Sequence, residues 1–431
     1  MRVIADLHIH SRFSRATSPR ISIEEITRFA KLKGLNLVGT GDFTHPSWLK
    51  ELYRDLAEVP GTGLFEPSKT ANSVHFMITC EISTVFPFAG QTKKIHNLIL
   101  TPSLEIATQI NDVLGKYGDL SVDGRPTLDL AAPTLVEEVM SVSPENEVIP
   151  AHVWTPWFGL FGAFSGFDKI EDCYQDATRH IHALETGLSS DPPMNWRLSS
   201  LESFTLVSNS DCHSCWPWRM GREANVFELE RPSYHEIVET IRKKDTEKLK
   251  FTIETNPAYG KYHWTGHRNC NVSLPPQEAM KFKSLCPVCR RGLTKGVGQR
   301  IEELADRPSG FKPQNAINYM HLLPLSEIIA TVLEASSPSM QSVWQEYNKL
   351  VAAFGNEYSV LIDTPLEEIS KVVDPKIAEG VVRVREGRIR VIPGYDGVYG
   401  QPVLFETENE AKEWEGGKVP QRSLAEWCGK T

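Results

Sequence analysis

Over the first 245 residues, short apolar runs with strand character alternate with longer runs of helical period. The strand-like runs cover 2–8, 36–41, 74–81, 94–100, 147–153, 182–187 and 204–210. Helical pattern falls between them, at 22–33, 103–116, from Thr134, at 168–180, at 194–202 and from Ser233. Three of these helices start on an S/T-x-x-E signature: Ser22 with Glu25, Thr134 with Glu137 and Ser233 with Glu236. Gly34 stops the first. Strands alternating with helices predict a parallel α/β architecture, most simply a seven-stranded barrel, closed or nearly so.

Beyond residue 250 the pattern changes. A short Cys- and Lys/Arg-rich unit fills about 256–305, and helical spacing returns from 310 to 431. It predicts helices at 322–333, 340–354 and 365–380, then a strand at 388–392. A Gly- and Tyr-containing loop at 393–400 suits close backbone approach. The last 30 residues are polar and predict a frayed end. A chain of 431 residues, 40% hydrophobic and 23% charged, exceeds one ordinary core and reads as globular. No apolar run approaches the roughly 20 residues of a membrane span. The first strand begins at once, without a signal-peptide pattern, so the cytoplasm is the expected location.

Charge adds a partner. The net charge is -9, yet residues 242–300 hold 13 Lys/Arg against 4 Asp/Glu. A basic island on an acidic body is the footprint of a polyanion such as nucleic acid.

The strand ends carry the chemistry. Residues His8 and His10 close the first strand, Asp42 the second, Glu81 the third, His152 the fifth, and Asp211 with His213 the seventh. His96 lies on the fourth strand, earlier than that pattern asks. On an extended chain, i and i+2 point to one side, so His8 and His10 form half of a metal site. Alone, such a pair fits an ordinary strand end equally well; repetition at five of seven ends points to metal. Mixed imidazole and carboxylate ligands suit Zn²⁺, Mn²⁺ or Fe²⁺, and two close cations clamp a phosphate ester. Asp42 or Asp211 is the expected bridge between them. Trp154 and Trp157 follow His152, and Trp216 and Trp218 follow His213. Some of these pack the barrel mouth, and others suit stacking on a base.

Of eight cysteines, Cys80, Cys173 and Cys428 are isolated, and Cys212 and Cys215 form a CxxC that no thioredoxin-like helix follows. His267-x-x-Cys270 and Cys286-x-x-Cys289, with 15 residues between, have structural-zinc spacing, His263 being a nearby substitute for His267. Lys281, Lys283, Arg290, Arg291, Lys295 and Arg300 surround them, a set suited to gripping phosphates.

The first half resembles a PHP (polymerase and histidinol phosphatase) domain, a distorted seven-stranded barrel for up to three divalent cations. Its opening HxH matches His8 and His10, and Thr40-Gly41-Asp42 stands where the family usually has T-D-H. The resemblance places Glu81, His96, His152, Asp211 and His213 at the later ligand positions. It leaves 11–15 without the family's further ligand, which counts against a third cation. Across nearly its full length the chain resembles the endonuclease Q family. The matching stretches include Ala5-Asp6-Leu7-His8-Ile9-His10, Ser208-Asn209-Ser210-Asp211 and Leu323-Pro324-Leu325-Ser326. That resemblance implies nicking of DNA 5′ to deaminated bases (uracil, hypoxanthine, xanthine) and abasic sites. It also implies two or three cations (Zn²⁺, Mn²⁺ or Mg²⁺), one structural zinc and no membrane partner. A deaminated base shows a carbonyl where its parent has an amine, so a donor is expected from Gly187–Ser190 or Ser208–Ser210. A phosphatase of small phosphomonoesters and a non-enzymatic DNA-binding protein are the competing readings.

Overall fold

A computed structural model describes residues 1–69 and 74–405. All seven expected strands are present, as Arg2–Asp6, Leu37–Gly39, His75–Phe88, Gln91–Thr101, Glu147–Pro150, Ala183–Glu185 and Thr205–Val207. Their directions differ from the expectation. Arg2–Asp6, Leu37–Gly39 and His75–Phe88 pair in parallel, but Gln91–Thr101 runs antiparallel to both His75–Phe88 and Glu147–Pro150. The cause is local. Ala89 and Gly90, at φ 48° and 77°, make a two-residue hairpin turn, which can only join antiparallel strands. The sheet is therefore mixed.

Three further strands extend it past Arg2–Asp6: Ala224–Glu228 and Leu249–Glu254, both antiparallel, then Asn318–His321, parallel to Leu249–Glu254. Ala183–Glu185 and Thr205–Val207 form a separate parallel pair. Single bonds stitch this pair to its neighbours. Val153 N–H donates to Glu185 O at 3.0 Å, and His10 N–H to Cys212 O at 3.0 Å.

Local chemistry explains the helix starts. Ser22 and Ser233 cap their helices through the Glu25 and Glu236 N–H groups, and Gly34 ends the first helix at φ 97°. Thr134 is not a cap. The helix Ala132–Val142 starts earlier because Pro133 fits its first turn, where a missing N–H costs nothing. The expected 365–380 helix is two, Leu366–Ile369 and Pro375–Arg385: Pro375 cannot continue a helix, and Asp374 caps the second through Lys376 N–H. Helices Leu325–Val332 and Gln341–Phe354 bury Ile328 and Tyr347 in the same core as Phe76 and Trp48. The expected frayed end falls largely past residue 405, outside the described residues, as does Cys428. Among the described residues no helix is long and apolar enough to cross a membrane.

Candidate metal centre and cleft

Two donor groups meet at one carboxylate. His8, His10, Glu81 and Asp211 bring ligand atoms within 4.8 Å of one another, and Glu81, His96 and His152 form a second such group. Glu81 Oε1 lies 2.6 Å from His96 Nδ1 and 3.0 Å from His152 Nε2. Its Oε2 lies 3.2 Å from His10 Nε2 and 3.5 Å from His8 Nε2. Glu81, rather than Asp42 or Asp211, is thus the carboxylate that the two groups share. The hairpin also explains His96. Because its strand runs antiparallel, its early residues lie where the parallel strands end.

The residues fit divalent cations. His8 Nε2 is buried without a hydrogen-bond partner, 3.5 Å from Glu81 and 3.7 Å from Asp211. An orphaned buried imidazole nitrogen beside carboxylates is a ligand set for a transition metal. Burial opposes charging His8, yet the Glu185 and Glu81 carboxylates outweigh it and raise its pKa well above the ordinary value. Burial likewise opposes charge on Glu81, but His96, Arg125 and His8 hold its pKa well below the carboxylate range. Burial pushes His96 down to about 4, leaving it neutral as a donor.

Behind these groups stand carboxylates that orient the rings. Glu185 Oε2 lies 3.0 Å from His8 Nδ1, and Glu185 also accepts from His152 N–H at 2.8 Å. Asp42 Oδ1 lies 2.9 Å from His10 Nδ1, while its Oδ2 accepts from Ser11 N–H and Ser14 Oγ at 2.6 and 2.8 Å. Both Asp42 oxygens are hydrogen-bonded, so Asp42 supports His10 from behind and stands outside the two groups of converging donors. Backbone conformation sets this depth. Gly41 has φ 61°, and a Cβ there would come within 2.2 Å of Ile9 O. Asp42, His152 and Asp211 all have positive φ, at 50°, 31° and 46°, a strained geometry that aims strand-end side chains. His213 lies beside the first group but outside both sets of converging donors. Its ring packs on His10 at 4.6 Å and its Nδ1 donates to Asp211 O at 3.0 Å.

Glu185 and Arg125 escaped the sequence reading. Glu185 ends a strand as Glu81 interrupts one, a legible signal. Arg125 sits in the loop between helices and pairs with Glu81 at 3.1 Å; its spacing gave no sign.

The groups open onto a cleft of about 830 Å³, lined among others by His152, Asp211, His213, Trp216, Arg219 and Lys261. Trp216 is 38% exposed and stacks on Trp218 at 4.9 Å. Trp154 does not face the cleft. It is 1% exposed, and its N–H donates to Asn195 at 2.8 Å, so it is a core residue and no stacking wall. Leu188 and Ser189 line the cleft, whereas Ser208, Asn209 and Ser210 are buried and spent on internal bonds, to Glu223, Glu185 and Asp6 respectively. Cys212 and Cys215 are buried free thiols in the core.

In the ribbon, His267, Cys270, Cys286 and Cys289 converge, with Cys289 Sγ 3.4 Å from His267 Nδ1. His263 lines the cleft instead. Four thiol and imidazole donors suit a structural Zn²⁺. Lys281, Lys283, Arg290 and Arg291 are exposed. Lys295 is not free to grip a phosphate, being paired with Glu303 at 2.7 Å, and Arg300 is held by Phe161 O, Phe167 O and Asp168.

The fold is similar to the crystal structure of the lesion-specific endonuclease PfuEndoQ from Pyrococcus furiosus. The TM-score is 0.83 at 33% identity, over 97% of this chain and 100% of that one. The chain belongs to the endonuclease Q family. A second family structure, endonuclease Q with a 27-mer duplex bearing an abasic lesion at its active site, gives a TM-score of 0.82. It is 35% identical over 94% of this chain and 97% of that one. Residues 324–388 match the family described as the MJ0043 C-terminal domain. The uncharacterised protein MJ0043 of Methanocaldococcus jannaschii is 34% identical over 258 residues, 58% of this chain. The match spans about a third of that relative's length, 31%.

Proposed function

We propose that this endonuclease Q family member nicks damaged DNA, hydrolysing the phosphodiester 5′ to deaminated bases and abasic sites. One observation carries the reading. A single buried carboxylate, Glu81, is shared by two ligand groups beside an open cleft, in a chain that matches a lesion-specific endonuclease from end to end. His8, His10, Glu81 and Asp211 would hold one divalent cation, and Glu81, His96 and His152 another. Such cations supply charge neutralisation on the phosphate and an acidified water. Glu185 and Asp42 fix the imidazole orientations, and Arg125 offsets the charge of Glu81. The ribbon, with one zinc, presents Lys281, Lys283, Arg290 and Arg291 to the DNA backbone, and Trp216 offers a stacking face at the cleft. We assign 1–250 to a PHP barrel, 256–305 to the ribbon and 310–431 to a mainly helical unit, acting in the cytoplasm.

A denaturing gel tests this with duplexes carrying uracil, an abasic site or no damage, each with Mn²⁺, Mg²⁺ or chelator. The expected result is a metal-dependent nick 5′ to the lesion and an intact undamaged control. Uracil opposite guanine should be cut faster than uracil opposite adenine, because a mismatched base leaves the stack more cheaply. Equal cutting of undamaged duplex would overturn the reading. Turnover of a small phosphomonoester without nicking would assign a phosphatase instead.

A further inference from the structure

The loop that carries Asp211 is held by side chains from distant parts of the chain. It presents Asp211 and His213, then runs through Trp216, Trp218 and Arg219 to Gly221. Lys33 Nζ donates to Pro217 O at 2.8 Å, and the Tyr358 hydroxyl donates to Gly221 O. Asp6 Oδ2 accepts from both the Gly221 N–H at 2.8 Å and the Ser210 hydroxyl at 2.6 Å, and its Oδ1 accepts from the Ser210 N–H at 3.0 Å. Gly221 has φ 64°, and a Cβ there would come within 2.9 Å of Lys33 Cγ. The loop is therefore clamped at both ends.

The clamps converge on the helical unit. Glu357 is fully buried and accepts from Lys33 Nζ at 2.7 Å, Tyr347 OH at 3.0 Å and Leu325 N–H at 3.0 Å. Its neighbour Tyr358, 2% exposed, supplies the hydroxyl on Gly221. A buried Lys–Glu pair gives little net stability, since desolvation offsets its Coulomb attraction. What it fixes is geometry: one carboxylate joins Lys33 at the end of the first helix to two helices of the C-terminal unit.

We propose that Tyr358 is a positioning residue for hydrolysis, and that the C-terminal helices brace the cleft. The hydroxyl of Tyr358 holds Gly221, Gly221 and Ser210 share Asp6, and Ser210 precedes Asp211, a donor of the first metal group. The same loop carries Trp216, Arg219 and Arg222 on the cleft lining. This rests on the reading of Asp211 as a metal donor given above.

Two conservative variants separate the brace from general stability. Y358F removes the hydroxyl on the loop. Y347F removes a hydroxyl from the same Glu357, while the Tyr347 hydroxyl makes its bond to Glu357 and not to the loop. Each is read by single-turnover nicking of an abasic duplex, DNA affinity and the visible spectrum of Co²⁺ bound in the barrel, with the ribbon first filled with Zn²⁺. Y358F should slow nicking roughly ten- to a hundredfold, the cost of a small misplacement, with affinity kept and the cobalt bands shifted. Y347F should move neither rate nor spectrum. An unchanged rate and spectrum in Y358F overturns the proposal, as does an equal loss in Y347F. If the wild-type chain nicks no damaged duplex, the substrate reading falls, and the two cobalt spectra still decide the brace.

Discussion

Glu81 and Asp42 both stand near strand ends beside histidines, yet only Glu81 turns its oxygens to both ligand groups. Spacing places a carboxylate at the site's end of the sheet. It does not say whether the side chain faces the cations or the back of an imidazole. That choice is made by the Gly41–Asp42 turn, whose left-handed backbone folds Asp42 beneath His10. The HxH pair was legible because a two-residue period fixes the side; the depth of Asp42 was not. Replacing Glu81 by Ala should strip metal from both groups and abolish nicking. Asp42→Asn and Glu185→Gln should each lower metal affinity or activity by about 10–100-fold, the usual cost of losing a carboxylate behind a ligand. Metal analysis with nicking rates checks this, and equal losses in all three variants would refute the division. The tryptophans divide as well. Trp154→Ala should cost about 3–5 kcal/mol of stability, as a large core truncation does. Trp216→Ala should slow nicking while the melting temperature stays near wild type.

At the level of elements, the ribbon was readable from its sequence because four ligands at fixed spacing leave few alternatives. The structure brings those four together, and places Arg290 and Arg291 exposed beside the second knuckle, where Arg290 N–H bonds to Cys286 O at 2.9 Å. Cys286→Ser should lose one zinc per chain and weaken DNA binding, with metal at the Glu81 site retained. Replacing Arg290 and Arg291 together should make the dependence of log K on log salt shallower by about one or two units, since each phosphate contact contributes roughly -0.9. Fluorescence anisotropy at several salt concentrations measures this; an unaltered slope would locate the grip elsewhere. Lys295 could not be sorted from its neighbours by sequence, because its partner Glu303 comes from the following helix. The hairpin at Ala89-Gly90 was missed for a related reason. Ala is an unusual residue at positive φ, so the turn carried a weaker signature than Asn-Gly.

For the whole molecule, the positions of the strands could be read from the sequence and their directions could not. Hydrophobic pattern marks where a strand lies; turn geometry and distant partners set which way it pairs. Nor could the sequence show the polar interior behind the metal groups. Glu223 and Glu254 both reach Ser208 Oγ, at 3.2 and 3.1 Å. Burial, outweighing Arg222, raises the Glu223 pKa to about 8, and burial with Glu223 nearby raises Glu254 as well. The folded chain thus keeps a proton that the unfolded chain releases in the ordinary glutamate range. Stability should fall as pH rises from about 4.5 towards 8, by at most about 1.4 kcal/mol per unit and per group. Urea unfolding at pH 5.5 and pH 8 would show this, and Glu223→Gln should flatten the difference. A wild-type stability that climbs over the same range would contradict it.

The excursion that contains the ribbon leaves the sheet after Leu249–Glu254 and returns as Asn318–His321, paired in register from Phe251 with Asn318 to Glu254 with His321. Both ends are thus anchored on neighbouring strands of one edge, Glu254 and Asn318 lying one strand across and three residues along, about 11 Å apart. A module tethered at one end can swing; one stapled at two neighbouring points cannot travel far from the cleft. Limited proteolysis between 271 and 285 should therefore leave two fragments that migrate as one particle under native conditions and part only in denaturant.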